Sequence, residues 1–348
     1  MLKRLAFASI IAVFHIHAQA ASNEFKIVTA SERGTYIQIG RDVASLVAGP
    51  AGIDLRVLPS AGSAENVRRL RYEPGVRLAI VQSDVYQAFL DLAGEGNREA
   101  GDMIRPLRVI MPLYNEEIYF IVRADSDLSY VHEIRDARIN AGELGSGTAL
   151  TTSTLYRLLF SRPLPDGRTT FLRNEDALVK LIDDKTVDVV AVVAGQPAKL
   201  LVDMKPEARQ FIKLLKVDSL HPSTSVVQRT YVPATVRATS YPNVLIEDVP
   251  SFAVRAFLVT YDYNLKETKR SLAQLAHSLC ENFATLRTKG HPKWREVELA
   301  LPDLGRGWVY YAPTATEIRS CMSSALARTS RPPARTCSQH ERILGLCS

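Results

Sequence analysis

The sequence predicts an α/β protein of two lobes, each a mostly parallel sheet flanked by helices. Three observations carry that expectation. Apolar strand-like runs alternate with helix-like stretches in a β-α-β-α rhythm, the pattern of parallel sheets covered on both faces. The rhythm completes one cycle and begins a second near residue 138. Four polar segments built alike mark the switches from strand to helix: 29–40 (TASERGTYIQIG), 59–70 (PSAGSAENVRRL), 80–88 (IVQSDVYQA) and 140–150 (NAGELGSGTAL).

The elements follow in order. Residues 25–30 read as a strand, and Ile39, Val43, Leu46 and Val47 then fall at helical spacing. Ile53, Leu55 and Val57 alternate with Asp54 and Arg56, as in a half-buried strand. Helices are expected from Ser63 and from Ser83, both good N-caps, with a strand over 78–81 between them. Residues 107–111 and 118–122 read as two further strands. In the second cycle, 138–141 is a short strand and 146–160 a helix carrying Leu155, Leu158 and Leu159. A helix over 176–183 and a buried strand over 187–193 come next, and Pro197 suits the first turn of another helix. Residues 211–217 form a strand, whereas 218–250, rich in Pro, Ser and Thr, read as irregular. A strand over 252–260, helical stretches near 265–288 and 314–327, and a tail complete the chain. Chain crossings near 121–125 and 250–260 divide it into a first lobe of 21–123 plus 250–330, a second lobe of 124–249 and a tail of 331–348.

The 348 residues are 46% hydrophobic and 23% charged, the balance of a globular protein with a sizeable core. Residues 1–20 are expected to be a signal peptide. Lys3 and Arg4 precede an apolar run from Leu5 to Ile16, and Ala18, Gln19 and Ala20 give an A-x-A cleavage pattern. Without them the chain carries 41 Lys and Arg against 37 Asp and Glu, a net charge of +4. That mild excess, with no basic stripe interleaved by aromatics, excludes a nucleic-acid role. The four cysteines, Cys280, Cys321, Cys337 and Cys347, all lie late. An even count in an exported protein permits two disulfides with three connectivities; Cys280–Cys321 with Cys337–Cys347 is the expected pairing.

The chemistry lies in the strand-to-helix switches. A helix start offers unpaired N–H groups and the positive end of the dipole. Ser and Thr hydroxyls add donors, and Gly lets a ligand approach the backbone. Several such starts meeting at one cleft would bind a small anion, a carboxylate above all, without a metal or a nucleophile. Gly142, Gly145 and Gly147 have the spacing of a phosphate loop, but no Lys precedes Thr148, which argues against a nucleoside triphosphate. The stretch from Asp125 begins like a calcium loop, yet Tyr130 stands where Gly is needed. There is no G-x-S-x-G elbow and no H-E-x-x-H, and no motif asks for a cofactor. Tyr36 could close one side of a pocket with its ring and hydroxyl; Gln82 and Ser83 supply donors at a third strand end, and Gly195, Gln196 and Pro197 repeat that chemistry in the second lobe.

The set Gly34-Thr35-Tyr36 with Gly40, Ala61-Gly62-Ser63-Ala64-Glu65-Asn66, Ile80-Val81-Gln82-Ser83-Asp84, Gly145-Ser146-Gly147-Thr148 and Gly195-Gln196-Pro197 resembles the TAXI family, the extracytoplasmic solute-binding subunits of tripartite ATP-independent periplasmic (TRAP) transporters. The resemblance covers about residues 25–310 in the family's order, with Gly290-His291-Pro292-Lys293-Trp294 as a later match. It implies a two-lobed type II periplasmic binding fold that closes on its ligand and docks on integral membrane subunits. It also implies small carboxylate ligands such as glutamate or 2-oxoglutarate, bound without the clamping Arg of the other TRAP receptor class. The chain departs from the family at Ile37, where a second Tyr is usual, at Ala30-Ser31-Glu32-Arg33 in place of a Gly-rich start, and at Arg77, where Asp is common.

Taken together these readings predict a monomeric periplasmic receptor, not an enzyme, for a small organic anion. Thr35, Tyr36, Ser63, Gln82, Ser83, Ser146, Gly147, Thr148 and Gln196 are expected to bind the ligand, with no metal. A ligand sensor feeding a membrane kinase and a secreted hydrolase on the same scaffold are the alternative readings. The leader is directly testable: N-terminal sequencing of protein from the periplasmic fraction should begin at Ala21, and a cytoplasmic protein that retains Met1 would contradict export.

Overall fold

The computed structural model describes residues 23–32, 34–305, 307–329 and 342–343. The signal peptide, the Cys337–Cys347 pair and nearly all of the tail lie outside the described residues. The chain begins β1 (Asn23–Val28), α1 (Thr35–Asp42), β2 (Ile53–Leu58), α2 (Ser63–Tyr72), β3 (Val76–Gln82), α3 (Val85–Gly94), α4 (Arg98–Ile104) and β4 (Leu107–Arg123). It continues β5 (Ile139–Asn140), α5 (Gly147–Phe160), β6 (Thr169–Thr170), α6 (Asn174–Ile182), β7 (Val189–Ala194), α7 (Lys199–Val202), β8 (Ile212–Leu214), α8 (Pro222–Val227) and β9 (Val232–Val236). It ends with β10 (Val249–Tyr261), α9 (Lys266–Glu281), α10 (Phe283–Lys289) and α11 (Ala312–Thr329).

The α/β class is as the sequence predicts. The strands run β2-β1-β3-β10-β4-β7-β5-β6, with β8 also on β4 and β9 on β10. β1 is parallel to β2 and β3 at one end, and β5 is parallel to β6 and β7 at the other. Between these parallel sets stand β4 and β10, antiparallel to each other and to their other neighbours. Helices cover both faces, so successive residues of one strand enter opposite cores. In β3, Leu78 and Ile80 join one apolar cluster while Ala79 and Val81 join the other. In β4, Ile118, Phe120 and Val122 face one way and Tyr119 and Ile121 the other. The buried residues of two of the four clusters come from 25–114 and 256–318, those of the other two from 118–254, and Leu150 packs across onto one of the first pair. The protein therefore has two halves, joined where β4 and β10 pass between them.

Several elements differ from the sequence reading. β4 is one strand of 17 residues, not two. The polar Asn115, Glu116 and Glu117 look like a break, but β10 pairs with β4 at all three positions and holds the backbone extended. α4 went unforeseen; Asn97 caps it, its side chain accepting from the Ala100 N–H at 3.0 Å. The stretch 218–250 is partly ordered: the His221 side chain caps α8, with Pro222 in its first turn, and β9 borders β10. α2 begins at Ser63 itself and α3 at Val85, so neither Ser63 nor Ser83 is an N-cap; both hold positions where their polar groups serve other partners. The Gln196–Pro197 peptide is cis, and α7 starts two residues later at Lys199. The stretch 265–288 divides at Asn282 into α9 and α10.

Cys280 at the end of α9 is bonded to Cys321 in α11, with a Cα–Cα distance of 6.4 Å. The bridge closes 41 residues of chain, which removes about 4 kcal/mol of unfolded-chain entropy in the loop-closure description. Replacing both cysteines by alanine should lower Tm by about 6 °C in a thermal melt. An unchanged Tm would show that the packing of α9 on α11 does not need the bridge.

Candidate functional site

The starts of α2 and α5 face each other across the two halves. Gly62 precedes α2 with φ +136°, a conformation that favours glycine. A Cβ there would also lie 2.9 Å from the Gly147 nitrogen, so the close approach of the helix ends needs glycine at Gly62. Ser146 caps α5, its hydroxyl accepting from the Ala149 N–H at 3.0 Å. The Glu65 N–H donates to the Gly145 carbonyl at 3.4 Å and stitches the two starts together.

Gln82, at the end of β3, fills the space between them. Its carboxamide packs so closely on Gly147 that any side chain at Gly147 would collide with it. Its Oε1 accepts from the hydroxyls of Ser63, at 3.4 Å, and Thr151, at 3.5 Å. Its own N–H donates to Ser63 Oγ at 3.0 Å. A neutral carbonyl oxygen thus sits against the positive end of α5, the position that dipole and N–H groups suit to an anion.

An acidic wall borders this cradle. Asp84 follows β3, and its Oδ2 accepts from Thr151, at 2.7 Å, and from Tyr231, at 2.8 Å. Asp84 belongs to the first half and both donors to the second, so the carboxylate ties the halves together. Burial pushes its pKa up to about 6, against the pull of those two bonds. Glu116, on β4, is 5% exposed and accepts from the Tyr36 hydroxyl at 2.5 Å. Burial raises it to about 8, although the Tyr36 bond and the Lys293 charge oppose the rise. Tyr36 is in turn pushed well above its ordinary value, by burial first and by Glu116 next. Glu117 accepts from the Gln196 N–H at 2.7 Å and lies 3.7 Å from Lys293 Nζ; burial raises it as well.

Lys293 reaches this wall because of the turn that carries it. His291 caps the short helix Pro292–Glu296, and the Trp294 indole donates to Asp42 at 2.9 Å. The ammonium, 1% exposed, bonds Glu296 at 2.7 Å and the Asn115 carbonyl at 3.2 Å. A buried lysine needs such partners to stay charged.

The residues expected from sequence divide into two groups. Tyr36, Ser63, Gln82, Ser146 and Gly147 come together, Tyr36 and Ser63 being near enough to interact. Thr35 opens α1 and is half-buried. The Thr148 hydroxyl points into the second half and accepts from the Val193 N–H at 3.2 Å. Gln196 uses its side chain on the Thr235 carbonyl and the Arg237 N–H, also within the second half. Ser83 is held by its backbone, its N–H donating to the Arg255 carbonyl and its carbonyl accepting from the Trp308 indole. Sequence reasoning missed Asp84 as a link between the halves, gave Lys293 no role beyond its place in a family match, and missed Glu116, Glu117, Tyr114, Thr151 and Tyr231 altogether. One signal was available: two adjacent acids inside the apolar stretch 107–123.

The chain belongs to the NMT1-like family, which it matches over residues 27–307. Solved structures of similar fold include the periplasmic binding protein BugD, at 13% identity over 86% of this chain and 94% of that one, with a TM-score of 0.48. A putative periplasmic sulfonate-binding protein, SsuA, from Methylobacillus flagellatus KT matches at 11% identity over 87% and 86%, with a TM-score of 0.47. The arginine-, lysine-, histidine-binding protein ArtJ from Geobacillus stearothermophilus matches at 11% identity over 82% and 99%, with a TM-score of 0.44.

The raised acids have a measurable consequence. Folding holds the protons of Asp84 and Glu116 more tightly than the unfolded chain does, so their contribution to stability is greatest at low pH. It is lost as pH rises through about 6 and then about 8. His291, whose pKa burial lowers, acts in the opposite sense below its ordinary value. Thermal melts of ligand-free protein should therefore show Tm falling from pH 6.5 to pH 9, and Glu116→Gln should flatten that fall. An equal slope in the variant would mean that Glu116 does not titrate in this range.

Proposed function

We propose that this protein is a periplasmic receptor that captures a small organic anion between its two halves and delivers it to the membrane subunits of a TRAP-type secondary transporter. The observation that carries the reading is the pair of helix starts, α2 and α5, brought face to face from opposite halves with a neutral carboxamide oxygen between them. A ligand carboxylate in place of the Gln82 oxygen would meet the Ser63 and Thr151 hydroxyls and the first N–H groups of α5. Hydrogen bonds to a charged acceptor contribute about 1.5–3 kcal/mol each, more than neutral ones.

The halves act in this reading as lobes, residues 21–123 with 250–330 against 124–249, and β4 and β10 as the hinge. Movement about two strands would open the cradle by breaking the polar contacts across it, among them Glu65 to Gly145, Thr151 to Gln82 and Asp84, Tyr231 to Asp84, Arg157 to Asp91, and Gln82 on Gly147. The site binds without covalent chemistry. The Ser63 and Ser146 hydroxyls both accept from backbone N–H groups, of Gln82 and Ala149, and neither is held by a base. The likeness of the switch segments to the TAXI family supports the TRAP assignment over other transport systems, and the A-x-A leader supports a periplasmic location.

Protein purified without refolding should carry a small carboxylate detectable by native mass spectrometry. With that compound, calorimetry on Ser63→Ala and Ser146→Ala should show affinity about tenfold lower in each. Thr148→Val should lower stability more than affinity, since its hydroxyl serves Val193. Small-angle scattering should show a more compact particle with ligand. Unchanged affinity in both serine variants would place the ligand elsewhere.

A further inference from the structure

The cradle offers donors, but the wall beside it offers buried acceptors in excess. Asp84, Glu116 and Glu117 are all buried, and Lys293 is the one buried basic side chain among the described residues. Lys293 already serves Glu117, Glu296 and the Asn115 carbonyl. Glu116 accepts from Tyr36 through Oε2 and has a second carboxyl oxygen. Asp84 Oδ1 and Tyr114 Oη, both fully buried, have no hydrogen-bond partner among the described residues. Tyr36, Tyr114 and Asp84 are close enough to Glu116 to act on its charge. Ionised, a buried carboxyl pair with unpartnered oxygens is costly unless a donor of positive charge completes it; without one, Glu116 keeps its proton to a higher pH.

The acids and the cradle are joined side chain to side chain. Tyr36 lies between Glu116 and Ser63, and Thr151 lies between Asp84 and Gln82. Anion-binding and cation-binding groups thus stand within the span of one small molecule. We infer that the ligand is zwitterionic: its carboxylate meets the starts of α2 and α5, and its ammonium meets Glu116 and the free oxygens of Asp84 and Tyr114. The three N–H bonds of an ammonium match these three acceptors. An α-amino acid carries both charges on adjacent atoms, whereas the matching 2-oxo acid keeps the carboxylate and puts a carbonyl, an acceptor, against the acids. Glu116 is the residue that separates the two classes. The inference rests on the reading of the cleft as a receptor site for a small carboxylate.

The test uses the mature protein, stripped of bound ligand, against a panel of L-amino acids and the matching 2-oxo acids, first by thermal shift and then by calorimetry. Amino acids should bind, with the matching oxo acids weaker by about a hundredfold or more, as expected when a buried charged group loses its partner. Calorimetry in buffers of different ionisation enthalpy adds a second readout. An amino acid should bind at pH 7 with release of about one proton, because its ammonium ionises a Glu116 that is mostly protonated in the ligand-free protein, whereas an oxo acid should leave that proton in place. Glu116→Gln should cut amino-acid affinity and narrow the gap between the classes, and Glu116→Asp should restore part of it. Oxo acids that bind as well as amino acids would overturn the zwitterion inference while leaving the receptor reading intact. If neither class binds, both fail.

Discussion

The burial of Glu116 and Glu117 in the middle of β4 is the constraint on which the rest of the molecule depends. Two adjacent carboxyls in a strand point to opposite faces, so each needs its own partners. On one face Glu117 takes the Gln196 N–H from the second half and the Lys293 ammonium from the first. On the other, Glu116 takes the Tyr36 hydroxyl. These partners come from distant parts of the chain, and they converge where β4 and β10 pass between the halves. The strands that join the halves and the acidic wall are therefore one place.

That arrangement also explains the neighbouring sequence. The turn through Gly290, His291 and Pro292 exists to deliver a lysine into the interior, with Trp294 anchored on Asp42. Gly195 gives the Lys293 stem and the Tyr114 ring their room, since a Cβ there would lie 2.9 Å from one and 3.1 Å from the other. Asp84 then links the halves a second time, through Thr151 and Tyr231. Buried acids and hydroxyls thus form much of the contact between the halves, beside the packing of Leu150 on the first half's core.

Much of this was legible in the sequence, for a physical reason. A strand-to-helix switch is local: its Gly and Ser residues announce a helix start whatever the rest of the chain does. Ser63, Gln82, Ser146 and Gly147, which the structure brings together, were picked out that way, and the α/β class was read from periodicity. Long-range partners leave no such mark. Thr148 and Gln196 look like Ser146 and Gln82 in sequence, yet their polar groups serve β7 and β9. The acids in β4 read as a loop because a polar triplet ordinarily ends a strand; only the pairing with β10 across 115–117, more than 130 residues away in the chain, holds it extended. The helix and strand inside 218–250 were hidden likewise, since β9 takes its order from β10.

The most direct measurement is a crystal structure of the protein purified from its host without stripping. The account predicts density for a small molecule between the starts of α2 and α5, with a carboxylate against Ser63 and Gly147 and the Gln82 carboxamide displaced. Gln82 still packed on Gly147, with the bound molecule in another hollow such as the one beside Trp308 and Arg319, would contradict it.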